Sequence, residues 1–210
     1  MTYDTVIFDL DGTLLDTLGD LTSAVNNALS RFSFPPLERE GVRCRIGDGL
    51  FKLMERCFPE GTGLETIRSS MEQFRAYYAE HLLDSTTPYP DMVNAVAKLK
   101  AAGVKMAVAT NKDEFLAKML IRHFFGDSFF AVCGMCEGRS RKPAGDIPLA
   151  ALASIPKPYK VLFVGDSQTD CLTAKACGFD FLGVSWEYGD CSGGIKKKKK
   201  TSKLLKFILP

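Results

Sequence analysis

Apolar positions in the first part of the chain fall at two different spacings. Thr5-Val-Ile-Phe8 is a short apolar run that reads as a buried strand, and it ends at the acidic string Asp9-Leu-Asp11-Gly-Thr13. From Thr17 the period changes. Leu21, Ala24, Val25, Ala28, Leu29 and Phe32 recur at three- and four-residue steps, so they share one helical face, and Pro35-Pro36 ends that helix. Leu50, Leu53, Met54, Cys57 and Phe58 mark a second helix, and Leu64, Ile67, Met71, Phe74, Tyr78 and Leu82 a third. No strand pattern interrupts Thr17 to Leu83, so a helical block is expected there.

After Thr87-Pro-Tyr-Pro90 helix and strand patterns alternate. Helices are expected at 92–102, 114–125, 147–154 and 169–177, with Gly103, Gly126 and Gly178 as stops. Strands are expected at 104–110, 129–133, 160–164 and 181–185. Such alternation implies a parallel sheet with right-handed crossovers. The expected fold is α/β, a doubly wound, Rossmann-like parallel sheet. Residues 1–15 and 88–210 make the α/β core, and 16–87 make an inserted helical cap. In such a sheet ligands bind beyond the carboxyl ends of the strands. The first strand runs into Asp9, the second into Thr110-Asn-Lys112, the fourth into Gly165-Asp166-Ser167, so polar groups far apart in sequence converge on one rim.

Composition narrows the class without changing this picture. At 210 residues, 46% hydrophobic and 25% charged, the chain is long enough to bury a core without staples. A formal net charge of +2 gives no footprint for nucleic acid. No segment has the roughly 20 apolar residues of a membrane span, and the N-terminus reaches Asp9 with no basic region, so neither membrane nor secretion is expected and a cytoplasmic protein is. Seven cysteines, an odd number, read as reduced thiols. The single C-x-x-C at Cys133 and Cys136 has no second pair to complete a zinc site. His81 and His123 neighbour no motif and read as packed or surface residues, while Trp186 and Tyr188 are core or rim. The run Lys196 to Lys200 reads first as a solvated tail. A patch for an acidic partner or membrane surface and a shifted reading frame are the rival readings. Leu204, Leu205, Phe207, Ile208 and Leu209 behind it are apolar enough to pack on the core.

Asp9 and Asp11 carry the first chemistry. If the strand ends at Asp9 the backbone turns, Gly12 permits the turn, and both carboxylates face one substrate. One can then act as nucleophile and the other as general acid and base. The plainer alternative is a turn rich in Asp and Gly. Asp166 and Asp170 form a second acidic pair whose hard oxygens suit magnesium. Thr110 offers a hydroxyl and Lys142 a positive charge to phosphoryl oxygens, with Lys112, Arg139 and Arg141 as rival cations.

The order Asp9-Leu-Asp11-Gly-Thr13, Thr110, Lys142-Pro143, then Gly165-Asp166-Ser167-x-Thr169-Asp170 resembles the four motifs of the haloacid dehalogenase superfamily. Arg45-Ile-Gly-Asp-Gly-Leu50 and Tyr89-Pro90-Asp91 look most like its phosphoglycolate phosphatase branch, and the likeness runs from Tyr3 to Asp190. The resemblance implies Asp9 as nucleophile and Mg2+ ligand. It implies Asp11 as the acid, then base, giving its backbone carbonyl to the metal. Thr110 and Lys142 would bind the phosphoryl group, Lys142 being favoured because Pro143 follows it. Asp166 would ligate magnesium, with Asp170 in or just behind the metal shell. Gly12, Thr13, Asn111, Gly47, Asp48 and Gly49 would line the substrate. The implied reaction is magnesium-dependent hydrolysis of a small phosphomonoester, phosphoglycolate first, through an aspartyl-phosphate. The implied partner is a small phosphorylated metabolite, and the implied state a monomer or weak dimer.

A sugar-phosphate phosphomutase shares Asp9 and Asp11, but the Gly47-Asp-Gly49 loop looks like the phosphatase type. Dehalogenation leaves Asp11 and Asp166 without a role. An idle binding protein on this fold is opposed by the filling of every expected catalytic position. The chain departs from the family pattern at Gly145, where a second proline is common, and again after Asp190.

Overall fold

The computed structural model describes residues 2–157, 160–186, 197–198 and 201–209. In chain order the elements are β1 (Thr5–Phe8), β2 (Leu15–Asp16), α1 (Leu18–Arg31), α2 (Arg39–Arg43), α3 (Gly49–Cys57), α4 (Leu64–His81), β3 (Thr87–Pro88), α5 (Met92–Ala101), β4 (Lys105–Asp113), α6 (Glu114–Phe125), β5 (Ala131–Met135), α7 (Asp146–Ala153), β6 (Val161–Gly165), α8 (Gln168–Cys177), β7 (Asp180–Val184), β8 (Lys197–Lys198) and α9 (Thr201–Ile208). The chain forms two compact units, Met1–Leu15 with Pro88–Pro210, and Asp16–Thr87.

The first unit is built on a sheet of order β5-β4-β1-β6-β7-β8 whose neighbouring strands all pair in parallel. Counted along this unit alone, the order is 3-2-1-4-5-6, the doubly wound arrangement, and it reverses at β1. Every residue of β1 is buried because helices cover both faces. Alternation sorts the strands' side chains: Ile7, Ala107, Ala109 and Phe163 point to one face and meet Ile147 and Ala151 of α7 and Ala174 of α8. On β4 also lie α5 and α6.

Behind the lysine run, read as solvated, the apolar segment forms α9 and packs on α5. Leu204 and Ile208 are fully buried, Tyr3 stacks on Phe207 at 5.8 Å, and Thr201 Oγ1 donates to Pro90 O at 2.7 Å. Apolar residues at 204, 205 and 208 make one helical stripe, and burying it outweighs the charge of the neighbouring lysines. Lys196, Lys199 and Lys200 lie outside the described residues, as do Tyr188, Asp190, Gly193, Gly194 and Pro210. Two strands also shift from expectation. The strand after Gly103 runs on to Asp113, and the one expected at 129–133 stands at Ala131–Met135. The extension of β4 past Thr110 coincides with a change of register between β4 and β5. Ala109 pairs Cys133 and Asp113 pairs Met135, so four steps on β4 oppose two on β5.

The second unit is helical. Leu21, Ala24, Val25, Ala28 and Leu29 of α1 pack with Ile67, Phe74 and Tyr78 of α4, and Phe32 and Phe34 meet Phe58 edge-on. The buried Asp20 accepts four hydrogen bonds, from the backbone N and hydroxyl of Ser85 (2.9 and 2.6 Å) and of Thr86 (2.9 and 2.7 Å). The start of α1 is thereby tied to the segment before β3. Gly19 lets them approach, since a Cβ there would stand 2.2 Å from Ser85 Oγ.

Candidate active site

The site grows from the end of β1. Asp9 N still donates to Val164 O at 2.9 Å, as a strand residue would. The chain then turns so tightly that Thr13 N, Leu14 N and Leu15 N all reach Leu10 O, at 3.2, 3.0 and 3.1 Å. Gly12 has φ +85°, and a Cβ there would lie 2.5 Å from Asp166 Oδ2. Only glycine brings this turn against Asp166. Thr13 is fully buried; its hydroxyl donates to Asp166 Oδ1 at 3.2 Å, and its carbonyl accepts Trp186 Nε1 at 2.8 Å. Gly12 and Thr13 thus pack on the Asp166 carboxylate, and Trp186 backs the turn.

Asp166 follows β6, and Asp170 sits in the first turn of α8. Ser167 caps that helix: its hydroxyl accepts Asp170 N at 3.2 Å, and Asp170 Oδ2 accepts Ser167 N at 3.1 Å and Ser167 Oγ at 2.6 Å. Asp170 Oδ1 accepts Lys142 Nζ at 2.7 Å, so both oxygens are engaged by protein. Gly165 admits this packing, because a Cβ there would be 2.4 Å from Asp170 Cβ.

Lys142 is buried and uses its ammonium three ways, on Asp9 Oδ1 at 2.6 Å, Asp170 Oδ1 at 2.7 Å and Ala109 O at 3.0 Å. Burial lowers its proton affinity, but Asp170 and Asp9 outweigh that and leave it raised. The loop behind it is held at two points. Asn111 bonds the backbone of Lys142, and Arg139 donates to Glu114 and, at 2.8 Å, to Gly134 O.

The register change in β4 sets its last residues apart. Thr110 is buried, and its Oγ1 accepts Lys112 N at 3.2 Å. Asn111 turns to the backbone of Lys142. Lys112 turns to Asp11, with Nζ 3.0 and 3.2 Å from its two oxygens. Gly134 on β5 makes room: a Cβ there would stand 2.5 Å from Lys112 O. The rival cations therefore separate, Lys142 to Asp9 and Asp170, Lys112 to Asp11, Arg139 to Glu114.

Asp9, Asp166 and Asp170 each bring a carboxylate oxygen within 4.8 Å of the others, which among the described residues is the one such group of His, Cys, Asp or Glu. Three carboxyl groups beside one ammonium make this an acidic lining of the kind a divalent cation needs. Burial pushes the Asp9 carboxyl well above its usual range; Lys142 opposes this, and Asp170 and Asp166 add to it. Hard oxygen donors of this kind fit a magnesium-type ion. Cys133 and Cys136 stand apart from this group, and none of the described cysteines is in a disulfide. His81 pairs with Asp84 at 2.8 Å, and His123 meets Phe124 edge-on.

In the helical unit Gly47 and Gly49 both have positive φ, at 114° and 79°. Asp48 between them accepts Arg56 Nη2 at 2.6 Å.

The family model for haloacid dehalogenase-like hydrolases matches residues 6–184. A phosphoglycolate phosphatase of Neisseria meningitidis is 35% identical over 192 residues, covering 88% of this chain and 81% of that protein. Phosphoglycolate phosphatase 1 of Pseudomonas aeruginosa is 38% identical over 192 residues, 87% of this chain and 70% of that one. A crystal structure from Lactobacillus delbrueckii subsp. bulgaricus superposes with a TM-score of 0.91 at 28% identity, over 100% of this chain and 99% of that one.

Proposed function

From the premise that the chain belongs to the haloacid dehalogenase-like hydrolases, we propose that it hydrolyses a small phosphomonoester, phosphoglycolate first, by attack of Asp9 on phosphorus. The observation that carries this reading is the grouping of Asp9, Asp166 and Asp170 beyond the carboxyl ends of β1 and β6, with Lys142 bonded to Asp9 and Asp170. An Asp9 oxygen forms the bond to phosphorus as the ester P–O bond breaks. Asp11 gives its proton to the departing oxygen. In the second step Asp11 takes a proton from water, the water oxygen bonds to phosphorus, and the Asp9–phosphorus link breaks. Lys142 and Thr110 bind phosphoryl oxygens, and Lys142 also offsets repulsion between Asp9 and the incoming dianion.

Asp9, Asp166 and the backbone carbonyl of Asp11 would hold Mg2+, with Asp170 behind them fixing Lys142 and the cap of α8. Once bound, the ion neutralises charge on the transferring phosphoryl group. In the same reading the helical unit, 16–87, is the cap. No helix of the described residues is long and apolar enough to cross a membrane, and a small phosphorylated metabolite is a substrate met in the cytoplasm.

Phosphate release from a panel of esters, with magnesium and with excess chelator, tests the reading. Acid-quenched protein should carry phosphate on Asp9, and the Asp9→Asn protein none. Full turnover in chelator would remove the metal, and label on another residue would remove Asp9 as nucleophile.

A further inference from the structure

Resting on the phosphatase reading, we propose that Lys112 is the specificity residue for esters carrying a carboxylate on the carbon next to the ester oxygen, that is, for 2-phosphooxy acids. Two ammonium groups stand at the strand rim, and they are differently placed. Lys142 stands on the phosphoryl side of the site, on Asp9, Asp170 and Ala109 O. Lys112, whose side chain is 5% exposed, bridges the two oxygens of Asp11. Its place is built by the register change in β4, by the approach that Gly134 permits and by the bond from its backbone N to Thr110 Oγ1.

Asp11 is the group that protonates the ester oxygen, so that oxygen stands one hydrogen bond from Asp11. Lys112 stands one hydrogen bond from the same carboxylate. The ester oxygen and the ammonium are therefore no more than roughly 6 Å apart, two hydrogen bonds end to end. A carboxylate joined to the ester oxygen through one methylene falls inside that interval. With Lys112 there, one ammonium bridges Asp11 and the substrate's carboxylate. Neutral leaving groups leave this contact unmade, and longer acids carry their charge past it.

The test compares 2-phosphoglycolate with 2-hydroxyethyl phosphate, which has a hydroxymethyl in place of the carboxylate. The unchanged protein should prefer phosphoglycolate in kcat/KM. Lys112→Met should lower the ratio of the two kcat/KM values by roughly 10- to 100-fold, the usual weight of a hydrogen bond to a charged group, and Lys112→Arg should restore part of it. Calorimetric binding of the same two esters to the Asp9→Asn protein, with and without Lys112→Met, should show the same change without turnover. Circular dichroism checks folding; if the Met variant is unfolded, the Arg variant and the ratio in the unchanged protein still decide. Equal losses on both esters, with the ratio unmoved, would show that Lys112 only orients Asp11 and would overturn the proposal. An unchanged protein that hydrolyses both esters equally would overturn it while leaving the phosphatase reading intact. Release of phosphate from no ester would remove that reading first.

Discussion

Asn111 grips the backbone of Lys142 from both sides: its Nδ2 donates to Lys142 O at 3.2 Å, and its Oδ1 accepts Lys142 N at 2.7 Å. This clamp fixes the backbone that carries the ammonium. Asn111→Ala should lower stability by about 1–3 kcal/mol for two lost hydrogen bonds. It should also lower kcat/KM by about 10-fold or more as the ammonium loses its fixed position. Thermal melts and phosphate release measure the two effects; a stability loss with unchanged kinetics would confine Asn111 to folding.

Two glycines with similar φ give a controlled comparison. At Gly12 (φ +85°) an added Cβ would stand 2.5 Å from Asp166 Oδ2, whereas Gly103 (φ +77°) has open space around it. Gly103→Ala should cost about 1–2 kcal/mol, the left-handed backbone penalty alone. Gly12→Ala should cost more and should abolish metal-dependent turnover, because Asp166 must move. Similar losses in the two variants, with activity kept in both, would mean that the turn at Gly12 relaxes without disturbing the carboxylate.

Glu114 gives a pH dependence away from the acidic cluster. Burial pushes its carboxyl up, but hydrogen bonds from Lys118, Arg139 and Gly134 N outweigh this and bring it from 4.5 to about 2. Its folded pKa is depressed, so its contribution is present above pH 4.5 and lost as pH falls toward 2. Glu114→Gln should therefore lower stability at neutral pH and flatten the stability curve between those values. Denaturant melts at stepped pH check it; a curve that keeps its full slope would assign the acid limb to other carboxylates.

Leu204 is fully buried on α9, and Lys203 beside it is exposed. Leu204→Ala should cost about 2–5 kcal/mol, the range for a buried leucine truncated to alanine. Lys203→Ala should stay within about 0.5 kcal/mol, as for most surface changes. Equal melting temperatures for all three proteins would return this segment to the solvated tail read from the lysines.

What can be read in the sequence is what local chemistry specifies. The switch between strand and helix periods marks most elements, and the acidic strings at Asp9 and Asp166 mark the rim. Ser167-x-x-Asp170 also carries the signal of a capping box, hidden by the place both residues hold in an acidic motif. The partners of Lys112, Asn111 and Lys142 are not readable. Lys112 and Asn111 lie where β4 slips against β5, and the three partners of Lys142 come from three separate stretches of the chain. That slip rests on Gly134, a residue on another strand with no motif of its own. The five-residue α2 has too few turns for an apolar period to show.

The hydrogen bonds of Asp20 bear on the order in which the chain folds. β1 pairs with β4 at Thr5 and Lys105, and the whole of 16–87 lies between them. Contacts so distant in sequence slow folding, because the intervening loop must be closed first. Asp20 and the segment at Ser85 and Thr86 join the two ends of the helical stretch through contacts internal to it. Once that stretch has closed on itself, the search of β1 for β4 runs over the short remainder of chain. A long detour in sequence then becomes a short one in space, and residues can be gained or lost inside it with little effect on how fast the sheet assembles.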